Sequence, residues 1–117
     1  MRDLDKDTMS FNSHLGFRLS DDGSRILLDP KPEHEVAPGT IHFAVLTTLA
    51  EVAAAHAAEV AVVPTTVTVQ LLRRAKLARL EARGKVTKLG RTIVFAEGEV
   101  FQDGELVAKA AVTFARI

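Results

Sequence analysis

A single carboxylate stands within a long helical stretch that is otherwise without formal charge. Residues 41–59 contain no Gly or Pro and are rich in Ala and Leu, which predicts a helix with Thr40 as its N-cap. Glu51 is the one Asp, Glu, Lys or Arg between positions 41 and 58, and Thr47 and Thr48 precede it by four and three residues. The three side chains therefore share one helix face. Partial burial there would raise the carboxyl pKa and suit a general base, with both hydroxyls beside it.

Glu51 also admits a structural interpretation. Glu is common on protein surfaces, and Glu51 would then lie on the solvated stripe of an ordinary amphipathic helix. His42, nine residues earlier, either orients a substrate or bonds a loop carbonyl. The two residues lie about 13 Å apart along the helix axis, so they cannot form a direct pair.

The predicted start of this helix is a second candidate site. The backbone amides of its first turn, residues 41–44, have no intrahelical acceptors. Together they would form an electropositive site for a carbonyl oxygen or an oxyanion. Every helix has such an end, so this feature is informative only in combination with others.

Further polar candidates lie on the predicted strand ends. A basic cluster would either meet the phosphates of a CoA-like ligand or form a solvated loop; its members are Arg73, Arg74, Lys76 and Arg79. Gly90 and Arg91 present the same two possibilities. The His and Glu residues between positions 33 and 42 are not spaced to bring three ligands together on one element, so we expect no metal site.

The remaining pattern predicts strands around the one long helix. A β-hairpin is expected at 17–28, a proline-containing loop at 29–38, and four antiparallel strands after Pro64, the last two joined at Asp103-Gly104. A short helix is possible at 8–15. One helix covers only one face of such a sheet, and its edge strands stay open, so we expect a homo-oligomer.

Composition limits the class of protein. The 117 residues suffice for one domain, 1–117, in which 1–14 form an extension or short helix. There is no Cys, and the 15 basic residues balance the 15 acidic ones, which disfavours nucleic acid and anionic membranes as partners. Residues 1–7 lack the apolar region of a signal peptide, and no apolar run is long enough to span a bilayer. We therefore expect a cytoplasmic protein.

With these elements in place, the segment 38–51, PGTIHFAVLTTLAE, resembles the signature of hotdog-fold acyl-CoA thioesterases of the phenylacetate-pathway branch. In that family a Gly-Thr-x-His-Gly-Gly sequence leads into the central helix, and an Asp or Glu follows nine residues after the His, where Glu51 stands. The segments 72–75, 90–92 and 106–110 resemble the family's strand end, hairpin and closing strand. The similarity runs from about residue 14 to residue 117.

The resemblance implies an α+β hotdog fold, in which a curved antiparallel sheet of about five to six strands wraps a long central helix. It implies dimers or tetramers with active sites at the dimer interface, and hydrolysis of an acyl-CoA or aryl-CoA thioester. No metal or redox cofactor is implied, since CoA arrives as part of the substrate. Glu51 would be the base or nucleophile, and His42 would shape the pocket. Further contacts would come from the amides of Phe43 and Ala44, and from Thr47, Thr48, Thr65, Thr66, Arg73, Arg74, Gly90 and Arg91.

The chain departs from the family at three positions. Phe43 and Ala44 replace the two Gly residues, and Val36 replaces an Asn commonly found six residues before the His. A backbone amide survives the change to Phe, but the ring can occupy the space of an acyl group. These departures keep a non-catalytic module that binds an acyl group or CoA open as an alternative. A dehydratase acting on a hydroxyacyl thioester is the third hypothesis.

Overall fold

One long helix packs against one side of a six-stranded antiparallel sheet. The structure is a computed structural model that describes residues 10–117. Helix α2 covers Phe43–Ala58 and contacts five of the strands. In chain order the strands are β1 (Arg18–Leu19), β2 (Ile26–Leu28), β3 (Glu35–Ala37), β4 (Thr40–Ile41), β5 (Val62–Leu71), β6 (Leu80–Leu89), β7 (Ile93–Gln102) and β8 (Glu105–Arg116). A short helix α1, Phe11–Leu15, precedes them.

The main sheet has the strand order β1-β2-β6-β7-β8-β5, while β3 and β4 form a separate two-stranded ribbon. All of the pairings are antiparallel, and the pairs β5–β8, β6–β7 and β7–β8 each contain one register shift. Bulges of this kind bend a strand and increase its twist, which lets the sheet follow the helix. The predicted hairpins are confirmed, including the tight turn at Asp103 and Gly104, where both residues have positive φ. The α+β architecture predicted from the sequence is therefore confirmed.

The core lies between α2 and the helix side of the sheet. Alternate residues of β7 point to the helix and are buried; they are Val94, Ala96, Gly98 and Val100. Gly84 and Gly98 are paired across β6 and β7 directly beneath the helix. A Cβ atom at Gly84 would overlap the carbonyl oxygen of Ala53, and one at Gly98 would overlap that of Ala50. The helix backbone therefore rests on these two glycines, and this fixes its height above the sheet.

This close approach gives a stability prediction. In Gly98→Ala the new methyl group meets the helix backbone at Ala50, which cannot move aside as a flexible side chain would. We expect the free energy of unfolding in urea to fall by about 2 kcal/mol or more. The control is Ala111→Gly, an exposed position on the next strand, where we expect a loss below about 1 kcal/mol. A Gly98→Ala protein as stable as the parent would contradict the packing.

Three expectations from the sequence need correction or restriction. The segment 29–38 is not only a loop, because it contains a 3₁₀ turn (Pro32–His34) and β3. Thr40 is not the N-cap of α2: it lies in β4, and His42 caps the helix. Of the short helix expected at 8–15, the structure shows Phe11–Leu15, and positions 8 and 9 lie outside the described residues. Within residues 10–117 no helix has the length and apolar character needed to cross a membrane.

Candidate active site

The start of α2 is built around His42. This residue has an extended backbone, and its Nδ1 accepts a hydrogen bond from the amide of Ala44 at 2.9 Å. Nδ1 is therefore the acceptor of the ring, and Nε2 carries the ring proton. The sequence left open whether His42 orients a substrate or bonds a loop carbonyl. Its Nδ1 does neither, because it accepts the hydrogen bond of a first-turn amide. Nε2–H is left to donate to a substrate.

One amide at the helix start has no hydrogen-bond partner among residues 10–117. The amide of Ile41 donates to Ala75 O and that of His42 to His34 O, both at 2.9 Å. With Ala44 bonded to His42, Phe43 is the only one of residues 41–44 whose N–H has no acceptor within the described chain. Three of the four amides predicted to form an electropositive site therefore bond to acceptors other than helix carbonyls, and the Phe43 amide is left to form that site. The geometry favours the Phe43 amide over that of Ala44 as the donor to a carbonyl oxygen.

Glu51 lies two turns further along the same helix and is half-buried. Burial raises the pKa of the Glu51 carboxyl above its usual value of 4.5 because water no longer fully solvates the charge. Within residues 10–117 no Lys, Arg or His side chain forms an ion pair with this carboxylate. The ionised side chain therefore retains the basicity that a general base needs.

The raised pKa of Glu51 has a consequence for stability. The folded state holds the proton more tightly than the unfolded chain does, so the cost of burying the charge appears as pH rises from 4.5 through the raised pKa. Glu51→Gln removes that cost. We expect the variant to melt at a higher temperature than the parent at pH 8, and the difference to shrink at pH 4. An equal difference at both pH values would show that the carboxyl is not desolvated.

Thr47 and Thr48 share the helix face of Glu51, as the spacing predicts. Their hydroxyls donate to helix carbonyls one turn earlier, Thr47 to Phe43 O at 2.9 Å and Thr48 to Ala44 O at 2.8 Å. Each hydroxyl proton is thus already in use, and only the oxygen lone pairs remain to accept a bond from a substrate. Their role as substrate contacts stays a prediction.

An apolar cavity of about 360 Å³ opens beside the helix start. Its exposed walls are the side chains of Val36, Phe43, Leu71 and Leu72, and its floor includes the buried Ile41, Leu46 and Ala75. Arg73 and Arg74 lie at its rim. Arg73 forms an exposed ion pair with Glu105 at 3.0 Å, whereas Arg74 has no ion-pair partner within residues 10–117. The basic pair predicted to meet phosphates therefore borders a cavity able to hold an apolar group.

The sequence did not predict most of this cavity. Leu71 and Leu72 are half-exposed at the end of β5, and they are consecutive apolar residues where the preceding strand alternates. That break in the alternation is the one signal that points to them. Leu46 and Ile41 carry no such signal, since apolar residues of a helix start are expected in any core.

Other predicted contacts lie away from the helix start. Gly90 and Arg91 join β6 to β7 next to Arg116, whereas Arg73 contacts Val107 at the opposite end of β8. Nine residues of a β-strand separate these ends by about 30 Å. A single chain therefore does not bring Gly90 and Arg91 to the cavity.

The predicted hydroxyls of β5 also lie outside the cavity. Thr65 is the extra residue at a register shift, and its hydroxyl donates to Thr113 O at 3.1 Å. Thr66 pairs with Thr113 and so shares the outer face of the sheet, away from the helix. Separately, no group of three or more His, Cys, Asp or Glu side chains among residues 10–117 is arranged to hold a metal ion.

Comparison with known structures defines the class. A thioesterase of Haemophilus influenzae superposes with a TM-score of 0.83 at 22% identity, covering 94% of this chain and 84% of the other. A Bacillus halodurans protein crystallised with CoA superposes with a TM-score of 0.83 at 17% sequence identity, covering 97% of this chain and 82% of the other. The E. coli PaaI protein of the phenylacetic acid degradation operon superposes with a TM-score of 0.81 at 21% sequence identity, covering 91% of this chain and 83% of the other. The single helix on a six-stranded antiparallel sheet is a hotdog fold.

The family follows from the sequence match. The model of the thioesterase superfamily matches residues 38–109, more than half of the chain. The chain belongs to the thioesterase superfamily. No curated protein matches it with significant sequence similarity. The matched segment begins at Pro38 and therefore includes the helix start, Glu51 and the basic pair.

Proposed function

We propose that the protein hydrolyses acyl-CoA thioesters, with Glu51 as the general base or nucleophile. The observation that carries the proposal lies on one helix: among residues 10–117, the half-buried Glu51 carboxylate has no ion-pair partner and the Phe43 amide has no acceptor. Membership of the thioesterase superfamily supports the reaction type. A relative with the same fold was crystallised with CoA, which supports the class of ligand.

The chemistry requires one polarising donor and one base. The thioester carbonyl oxygen accepts a hydrogen bond from the Phe43 amide, which stabilises the oxyanion formed when the carbon is attacked. Glu51 removes a proton from water as the water oxygen bonds to that carbon. The C–S bond then breaks, the proton passes to the CoA sulfur, and the acid is released. If Glu51 attacks directly, the C–S bond breaks as a mixed anhydride forms and CoA leaves as the thiolate; water then hydrolyses the anhydride, which releases the acid and restores the Glu51 carboxylate.

The two groups cannot act on the same carbonyl within one chain. Phe43 and Glu51 are eight residues apart on α2, which corresponds to about 12 Å along the axis. A reacting carbonyl must lie about 3 Å from its donor and from its attacking group. We therefore propose that each active site combines Glu51 of one subunit with the Phe43 amide of its copy.

The sheet offers an edge for such a dimer. β5 is the edge strand next to β8, ten residues long, with half-exposed Val63, Val67 and Leu71. An open edge of this length is a template for pairing with another chain. Antiparallel pairing of β5 with its copy reverses one sheet relative to the other. Gly90 and Arg91 of the copy then lie at the same end of the joined sheet as Arg73 and Arg74.

CoA would lie along the basic side of this arrangement. Arg74 is free of ion pairs within the described residues, and Arg73 gives up only an exposed pair with Glu105. Exposed pairs are weak, so exchanging Glu105 for a phosphate costs little. No cofactor is needed beyond the CoA of the substrate itself.

One observation favours a second function. Phe43 lines the cavity, and it stands where the thioesterase signature that the segment 38–51 resembles has Gly. A ring that excludes the reacting carbonyl would leave a module that binds CoA or an acyl group without hydrolysing it.

Thiol release from a panel of short, long and aryl acyl-CoA esters separates the two functions. Turnover by the parent protein on any member of the panel supports hydrolysis. Binding of CoA esters in calorimetry without any thiol release would overturn it in favour of the binding module.

A further inference from the structure

The ring of Phe43 is large, exposed and held in place. It is 57% exposed, and it stacks on His42 with ring centroids 4.7 Å apart and an interplanar angle of 28°. His42 in turn is tied to the helix start by the bond from the Ala44 amide. Offset stacking of this kind stabilises an aromatic pair beyond the area it buries. The ring is therefore supported on one side by a partner that is itself anchored.

Phe43 is also one of the residues that line the apolar cavity. Val36 and Leu72 form other walls, and the buried Leu46 lies in the floor. The cavity volume of about 360 Å³ is close to the lower end of the range found for ligand sites, roughly 300–1,000 Å³. The amide of Phe43, the candidate donor to the thioester oxygen, belongs to the same residue as this wall. An acyl chain whose carbonyl is bound there therefore begins next to the ring.

We propose that Phe43 sets the upper limit of acyl-chain length at this site, so that the protein accepts short acyl groups. This proposal rests on the proposed function. Each methylene that the cavity accommodates is expected to raise kcat/KM about threefold to fourfold through burial of apolar area. Once the chain fills the space between Phe43, Val36 and Leu72, the next methylene must displace the stacked ring or stay in water. The increase of kcat/KM with chain length then stops.

The test compares kcat/KM over a series of straight-chain acyl-CoA esters in the parent and in Phe43→Ala. The substitution removes the ring but keeps the backbone amide. In the parent, we expect kcat/KM to rise with each added methylene while the acyl chain is short and to rise no further once the cavity is filled. In Phe43→Ala, kcat/KM should keep rising until the chain is about two or more methylenes longer than the parent's limit. For esters beyond that limit, the ratio of kcat/KM in the variant to kcat/KM in the parent should be at least tenfold higher than for short esters. Phe11→Ala, at a 67% exposed position on α1, should leave the profile unchanged.

A second variant tests the support of the ring. Asn is a strong N-cap residue, so His42→Asn keeps a cap at α2 but removes the stacking partner of Phe43. We expect it to extend the accepted chain length by less than Phe43→Ala does. Identical length profiles in the parent and in Phe43→Ala would overturn the proposal while leaving hydrolysis established.

Binding experiments keep the proposal testable if no ester is hydrolysed. S-alkyl-CoA thioethers lack the carbonyl, so their affinities report only how the chain fits. In calorimetric titrations with a series of alkyl-chain lengths, the affinity of the parent should stop rising at the same chain length as kcat/KM. In Phe43→Ala the affinity should keep rising to longer chains. That shift would support Phe43 as the length limit even if the proposed hydrolysis fails. Equal affinities in both proteins at every length would overturn the proposal.

Discussion

Replacing Glu51 with Gln is expected to lower kcat for thioester hydrolysis by about 10²–10⁴-fold. The amide retains the size of the half-buried side chain, but it neither accepts a proton from water nor attacks a carbonyl carbon. KM should change little because the substitution leaves the cavity walls in place. Thiol release by purified parent and variant at matched concentration measures the effect. The variant should be at least as stable as the parent near neutral pH, so unfolding would not explain a loss.

The matched control is Glu59→Gln. Glu59 is exposed and caps the far end of α2, so the same chemical change there should alter kcat by less than about twofold. The pH profile gives an independent test, because Glu51 must be ionised to act. In the parent, kcat/KM should fall as pH drops through a pKa above 4.5, since burial raises the pKa of this carboxyl. Equal turnover in the parent and in Glu51→Gln would exclude Glu51 from the reaction.

The second large effect is expected for Phe43→Pro. Phe43 is the first residue of α2, where Pro is well tolerated because its φ suits a helix and the position lacks an intrahelical acceptor. His42, with φ −62° and ψ 137°, already has the extended backbone that a residue before Pro requires. The substitution removes the one amide of the helix start that has no acceptor in the described part of the chain. We expect kcat to fall by about 10²–10³-fold relative to Phe43→Ala.

Phe43→Ala is the proper reference because it loses the same ring and keeps the amide. The comparison should use the shortest ester that both variants hydrolyse, so that chain length does not contribute. Circular dichroism and thermal melting establish that α2 survives in both. If Phe43→Pro and Phe43→Ala turn over equally, the Phe43 amide does not polarise the thioester.

The helix and the strands were predictable because their signals are local. The uninterrupted Ala-rich run predicted α2 to within about two residues at each end. The Asp103-Gly104 dipeptide predicted the last hairpin, in which both residues have positive φ. Glu51 was identifiable because a lone carboxylate on an otherwise uncharged helix is conspicuous. Its half-buried position and raised pKa agree with that prediction.

The details of the helix start were not predictable in the same way. Thr40 is a better N-cap than His42 by intrinsic preference, but tertiary contacts draw Thr40 and Ile41 into a strand. The Ile41 amide donates to Ala75 O, far along the chain, and the His42 amide donates to His34 O, which lies before the segment 38–51. Which first-turn amide stays free therefore depends on long-range contacts. The spacing within the segment 38–51 contains no information about them.

The placement of the basic residues shows the same limit. Arg73 and Arg74 border the cavity, whereas Gly90 and Arg91 lie at the other end of the sheet. The sequence alone treats the two groups alike because each follows a strand. Only the antiparallel order of β5 to β8 determines which strand ends meet.

The most direct test of the proposed shared active site mixes two inactive variants. In a hybrid dimer of Glu51→Gln and Phe43→Pro, one site carries both substitutions and the other carries neither. Co-expression with two different tags yields the hybrid in pure form, and its thiol release is compared with that of each variant alone. We expect about half of the parent activity per dimer. A hybrid no more active than the two separate variants would contradict a site shared between subunits.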